Sequence, residues 1–469
     1  MDKKWIIILL GLSLVWMVVL SGCVSQQPAP TPTPTATPTV QPTASPKMYS
    51  QAEADSMMQW RVLWTDHTVW TRLYIIESLD NSSGASAAAT RLLKNQEDIG
   101  NAIKPYYGDA AGTQLTALLK DHILIAVAII NDVKAGNATA QAADEAKWTK
   151  NADDISTFLA GANPNWPLQD VKDLMHMHLS TTKDELVARY TKNYTADVQA
   201  WDAVYAHILT MSDAISGGII KQYPDKFGGP KVYSQKEVDL QNGMRKLWTD
   251  HTVWTRMYII ESLNDSPAAG AAATRLLQNQ VDIGNAIKPV YGDAAGTQLT
   301  ELLRTHIYTA VAIINDVKAK NSTAQAKDEA LWTKNADDIS TFLAGANPNW
   351  PLQGVKDLMY MHLSTTKDEL VARYSKNYTA DVQALAVAQA PITAEIHQPL
   401  DVHRHFAAQI ALHHIVAVDH FANLQHLGVG QLRHPALLRQ INLVHDLMGD
   451  LGPDPMDVLQ RDHDALVGG

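Results

Sequence analysis

The chain has 469 residues, and 49 Asp and Glu against 38 Lys and Arg give a net charge of −11. With no basic cluster to set against that excess, nucleic acid is excluded as a partner. Cys23 is the only cysteine, so no disulfide forms within one chain, and no thiolate metal site or thiol nucleophile remains once that residue is modified.

Residues 1–22 read as a lipoprotein signal peptide. Lys3 and Lys4 precede an apolar run from Trp5 to Leu20, and Leu20-Ser21-Gly22-Cys23 closes it with the small residues of a cleavage site. That tetrapeptide resembles a lipobox, which implies cleavage before Cys23 and lipidation of its sulfur. The alternative is an uncleaved membrane anchor, since the run is near the minimum spanning length. Both readings place the protein at the extracytoplasmic face of the cell membrane, with the membrane as its one expected partner and any further ligand or protein partner unidentified. Residues 23–45, with the run PAPTPTPTATPTVQPTASP, cannot bury a core and favour extended polyproline-like conformations, so they read as a disordered stalk. Six Asn-x-Ser/Thr sequons follow, at Asn81, Asn137, Asn193, Asn264, Asn321 and Asn377, several of them at expected helix boundaries. A Pro/Thr stalk behind a lipobox, followed by sequons, is similar to the surface lipoproteins of methanogenic archaea.

The chain then repeats itself. WTDHTVWTR at Trp64–Arg72 returns at Trp248–Arg256, and ANPNWPLQ at Ala162–Gln169 returns at Ala346–Gln353, each 184 residues later. A solenoid unit is far shorter, about 20–50 residues, so the repeat is a duplicated domain: residues 46–229 and 230–384. Each copy reads as helix throughout, with no convincing alternating strand. In the first copy a helix is expected from Gln51 to Leu79, ending at Asp80-Asn81-Ser82-Ser83-Gly84. A second spans Ser86 to Lys104 and stops at Pro105. A third follows Gly108-Asp109, with Leu115, Leu118, His122, Ile125 and Ile129 at heptad-like spacing. A fourth places Trp148, Ala152, Ile155 and Leu159 on one face and breaks at Gly161 and Asn163-Pro164. A fifth starts at Pro167 and restarts at Thr182-Lys183-Asp184-Glu185, which matches a capping box. The last carries Val198, Trp201, Tyr205, Ile208, Met211 and Ile215. The fold class is all-α: two tandem antiparallel helical bundles behind a signal peptide and a Pro/Thr linker, joined at Gly228-Gly229-Pro230.

Histidine supplies the one candidate chemistry. His67, His122, His178 and His207 lie on four different helices, and imidazoles from several helices can converge inside a bundle to hold a metal. The second copy reproduces the first three as His251, His306 and His362, and it reproduces Asp66 and Arg72 as Asp250 and Arg256. Three histidines and one aspartate form a candidate ligand set of zinc or iron type. The structural alternative is a buried polar network in which Asp66 and Asp250 pair with Arg72 and Arg256 or with a histidine. No pair has HExxH or ExxH spacing, and no Walker loop, nucleophile elbow or dinucleotide fingerprint is present. No catalytic residue is named, and no motif identifies a cofactor. Tryptophans such as Trp60, Trp64 and Trp148 read as core, and Asn95 and Gln96 as partners of a neighbouring helix.

LWTDHTVWTR, RLLKNQEDIGNAIKP, LLKDHILIA, NPNWP and GIIKQYP resemble a family of small helical proteins of bacilli, clostridia and methanogens. The resemblance covers almost all of each repeat, implies the all-α fold and implies no activity. Repeat identity stops at Ala384. Residues 385–469 contain no Lys, Trp or Tyr, and ten of the eighteen histidines. A reading-frame change or fusion accounts for a break that ignores the domain boundary; the alternative is a His-rich, metal-binding appendage. The expected function is a lipid-anchored pair of bundles that binds a ligand or partner without catalysis. The alternative is a His-ligated metal-binding bundle protein, with a metalloenzyme included in that reading.

Overall fold

The computed structural model describes residues 47–385. The signal segment, Cys23, the stalk and the tail after 385 lie outside the described residues.

A strand, β1 (Met48–Ser50), leads into α1 (Gln51–Leu79), α2 (Ala85–Ala135), α3 (Ala138–Ala162), α4 (Leu168–Tyr190) and α5 (Tyr194–Gln222), followed by a 3-10 turn at Pro224–Phe227. The second copy repeats the order with β2 (Lys231–Ser234), α6 (Gln235–Leu263), α7 (Ala269–Ala319), α8 (Ser322–Ala346) and α9 (Leu352–Tyr374), and residues 378–385 are again helical. The described residues are all-α apart from the two strands, which pair antiparallel and went unseen in the sequence because three or four residues are too few to show alternation.

Ser50 starts α1 through a capping box: its Oγ accepts from Glu53 N at 3.1 Å, and the Glu53 carboxylate accepts from Ser50 N at 2.6 Å. Ser50 Oγ also donates to Phe227 O at 2.7 Å, tying the start of α1 to the end of the bundle. The break expected at Pro105 falls three residues later. The helix continues through Pro105, and the reversal occurs at Gly108, whose φ of 83° is open to glycine at little cost. The halves 85–107 and 109–135 pack back to back, with Gly100 and Gly112 at the crossing, where an added Cβ would lie 2.6–2.7 Å from the other's carbonyl oxygen. The second expected break is absent. α4 runs unbroken through Thr182, because Glu185 is spent on Arg72 rather than on a capping amide.

One apolar core runs through both copies, and Trp70, Trp201 and Trp254 are its largest fully buried members. The two copies meet about a pseudo-twofold axis, and several contacts recur with the partners exchanged. Tyr49 OH donates to Gln235 Oε1 at 2.5 Å, and Tyr233 OH donates to Gln51 Oε1 at 2.6 Å. Arg189 pairs with Glu261 at 2.8 Å, and Arg373 with Glu77 at 2.5 Å. Arg72 lies over the Trp254 ring and Arg256 over Trp70, at 5.2 and 5.6 Å. Tyr49 faces Tyr233 across the strand pair, on the axis itself.

Candidate metal centre

α1, the second half of α2, and α4 each contribute one imidazole to the interior of the first bundle: His67, His122 and His178, all buried. His67 Nε2 lies 3.4 Å from His178 Nε2, and His122 stacks on His178 with ring centroids 5.9 Å apart. In the second bundle His251, His306 and His362 come from α6, α7 and α9. One nitrogen of each lies within 4.8 Å of the other two. The pairwise ring distances there are 5.5, 5.7 and 6.2 Å. Two nitrogens on a tetrahedral zinc, each about 2.0–2.1 Å from it, lie roughly 3.3–3.4 Å apart. The His67–His178 separation has that value, and it is long for an N–H···N hydrogen bond between neutral rings.

Amide oxygens fix which nitrogen faces inward on His122, His306 and His251. Asn151 Oδ1 lies 2.8 Å from His122 Nδ1, and Asn335 Oδ1 lies 2.9 Å from His306 Nδ1. An amide oxygen only accepts, so each Nδ1 carries the proton and each Nε2 keeps its lone pair. His122 Nε2 is buried with no hydrogen-bond partner among the described residues. Gln280 Oε1 stands 3.3 Å from His251 Nδ1 in the same way. The first copy differs: Gln96 Nε2, which also donates to Leu92 O and Asn95 Oδ1, lies 3.3 Å from His67 Nδ1, and Gln96 Oε1 has no hydrogen-bond partner among the described residues. Asn95 and Gln96 thus reach α1, as expected from their place beside an apolar stripe; Asn151 carried no comparable signal. Trp148 and Trp332 cover His122 and His306 at 5.1 Å.

Burial, with the neighbouring imidazoles adding to it, lowers His67 to about 3 and His178 well below its ordinary value. Burial lowers His122 to about 4 against a weaker pull from Asn151. In the second bundle His251 falls to about 3, His362 to about 4 and His306 well below 6.5, with burial again the leading cause. All six are therefore neutral at pH 7, the form that ligates a metal.

Neither aspartate belongs to the set, which corrects the expectation of three histidines and one aspartate. Asp66 turns to Arg91 at 2.5 Å, and Asp250, fully buried, pairs with Lys246 and Arg275 at 2.7 and 3.1 Å. Burial raises Asp66 to about 6 and raises Asp250 as well. Arg72 does not meet Asp66 either. It binds Glu185 at 2.7 Å and Asp197 at 2.9 Å, and Arg256 binds Glu369 and Asp381 at 3.0 and 2.8 Å. Burial and the adjacent aspartate push Glu185 and Glu369 up to about 7 against the pull of the arginine. In the sequence Glu185 reads only as part of a capping box and Asp197 carries no signal, although both recur at the 184-residue offset as Glu369 and Asp381. His207 stands outside the cluster, with Nε2 2.8 Å from Leu174 O.

A cleft between α1, α5 and α6, lined by Met58, Thr65, Tyr205, Asn242 and Lys246, contains none of the six histidines. α2 and α5 are long and apolar enough by composition to cross a membrane, as core helices of a bundle also are. Comparison of the chain with protein-family models, with curated proteins and with solved structures finds no match.

Proposed function

We propose that the protein is a lipid-anchored, extracytoplasmic pair of helical bundles, each holding a divalent transition metal, zinc in preference to iron, on three imidazoles. The observation that carries this reading is the convergence of three neutral histidines from three helices in each copy, five of the six buried and His362 half-buried. Non-haem iron is commonly held by two histidines and a carboxylate, and Asp66 and Asp250 are committed to cations elsewhere. Three neutral imidazoles bring no charge, so a dication in this dry interior takes an anion such as hydroxide as its fourth ligand. The groups packed on the rings are Trp64, Trp148, Gln96 and Asn151. None is a general base, which favours holding a metal over catalysis. The resemblance to the bacillar, clostridial and methanogen proteins extends the reading, because the histidine of the shared DHxxWTR string is His67, and His251 in the second copy.

Metal content of the untagged full chain, by mass spectrometry of the elements, tests it. His122→Gln and His306→Gln are each expected to lower bound zinc by one per chain, and the double variant by two. Any metal held by the His-rich tail cancels in these differences. Equal zinc in the wild type and a folded double variant would overturn the proposal.

A further inference from the structure

The six sequons are scattered in sequence, and the fold gathers them. Asn81 lies between α1 and α2, Asn137 between α2 and α3, and Asn193 between α4 and α5. Because α2 doubles back at Gly108, all three connections fall at one end of the first bundle. Lys134 Nζ donates to Ser78 O at 2.5 Å, and Arg189 pairs with Asp80 at 3.0 Å, which binds the three together there. Asn264, Asn321 and Asn377 occupy the corresponding end of the second bundle, where Lys318 reaches Ser262 O and Asp265. The Arg189–Glu261 and Arg373–Glu77 pairs place these two ends side by side. The opposite end, marked by Lys226 on Pro105 O, Gln222 on Ala162 O and the β1–β2 pair, has its own asparagines, Asn163, Asn165, Asn347 and Asn349. None of those four begins a sequon. The described chain enters at that opposite end, at Lys47, roughly 40 Å away along a 29-residue helix.

All six sequon asparagines are exposed. Four of them are helix N-caps that use only the amide oxygen: Asn137, Asn193, Asn321 and Asn377 each accept from the backbone N–H three residues on, at 3.1–3.2 Å. Substitution on Nδ2 keeps that oxygen and therefore keeps the cap. The remaining pair is informative because the copies differ. The left-handed position after α1 is Asn81, with φ 54°, and its counterpart is Asp265, with φ 51°. In the second copy the asparagine has moved one residue earlier, to Asn264, and Ser266 still completes a sequon. The side chain changed place and the tripeptide survived.

We propose that this end of the double bundle is N-glycosylated, at Asn81, Asn137 and Asn193 and at Asn264, Asn321 and Asn377. The proposal rests on the extracytoplasmic placement above. The donor is a glycan on a polyisoprenoid phosphate or diphosphate. Asparagine Nδ2 attacks the anomeric carbon, a C–N bond forms as the C–O bond to phosphate breaks, the lipid phosphate leaves with the electron pair, and Nδ2 gives up one proton. The glycans then cover the end of the double bundle remote from Lys47.

Peptide mass spectrometry of protein purified from the membranes of its own cell tests this. The expected result is one shared glycan mass on these asparagines in both copies, and on none of the asparagines at the opposite end. Thr139→Ala, at an exposed residue outside the cap, should remove one glycan and leave the melting temperature within a degree or two of a Thr139→Ser control. Bare asparagines at all six positions overturn the proposal. If the Cys23 peptide carries lipid in that sample, the glycan proposal alone has failed; if it does not, the extracytoplasmic placement has failed with it.

Discussion

The two bundles carry the same side chains at the same offset and bury them unequally. Trp166 is 5% exposed and Trp350 40%; Met175 and His178 are buried, whereas Met359 and His362 are half-buried. These are positions near α5 in the first bundle. There the Trp166 indole N–H donates to Ala214 O at 3.1 Å, and its ring lies against Gly218. The counterpart of α5 is described only over residues 378–385. The histidines converge in both bundles all the same. In the first bundle the triad is carried by α1, α2 and α4, and α5 packs over Trp166 beside it.

That division of labour can be broken at several points. The largest effect is expected in the buried ion clusters, which both bundles complete. Arg72→Met strands Glu185 and Asp197 and should cost about 3–5 kcal/mol, and Arg256→Met should cost about the same, by urea unfolding. A much smaller loss for Arg256→Met would show that the second cluster is not fully formed. Next comes the cover. Trp166→Ala should cost about 3–5 kcal/mol, and Trp350→Ala about 1 kcal/mol; equal losses would contradict the difference in burial between the two rings.

Acid gives an intermediate effect. His122 sits near pKa 4 in the folded chain against 6.5 for the free side chain, so below pH 6.5 the unfolded chain binds a proton that the folded one refuses. The stability this residue holds above pH 6.5 is lost as pH falls, by about 3 kcal/mol near pH 4. Glu185, raised to about 7, works in the opposite direction, so the test is a difference. The gap in stability between metal-free wild type and His122→Gln should narrow by that amount from pH 7 to pH 4, and a constant gap would refute the assignment. The smallest contrast is at the caps. Ser50→Ala should cost about 2 kcal/mol, since it also removes the bond to Phe227 O, and Ser234→Ala about 1 kcal/mol or less. Thermal melts of the two variants resolve this.

Much of this architecture was legible in the sequence. Heptad spacing, the Asn-Pro break and the glycine pairs gave the helices of each bundle, and repetition alone narrowed the histidines to three per copy. The errors came where a local signal competed with a distant partner. Pro105 reads as a stop, but a proline deletes one N–H and the helix survives it when the turn residue is Gly108. Thr182–Glu185 reads as a capping box until Arg72, more than a hundred residues away, claims the glutamate. Asp66 reads as a candidate ligand because it recurs as Asp250 and falls on an apolar stripe of its helix. On a helix, adjacent residues point about 100° apart, and Asp66 faces Arg91 instead.

The crossed pairs at Tyr49–Gln235 and Tyr233–Gln51 have a consequence for how the molecule responds to dilution. An association of this symmetry between separate chains falls apart as concentration drops, because it pays translational entropy each time it forms. Here Gly228-Gly229-Pro230 supplies the second half at a fixed effective concentration. The pair therefore persists however dilute the chain becomes, and each half is free to mutate without its mirror changing in step.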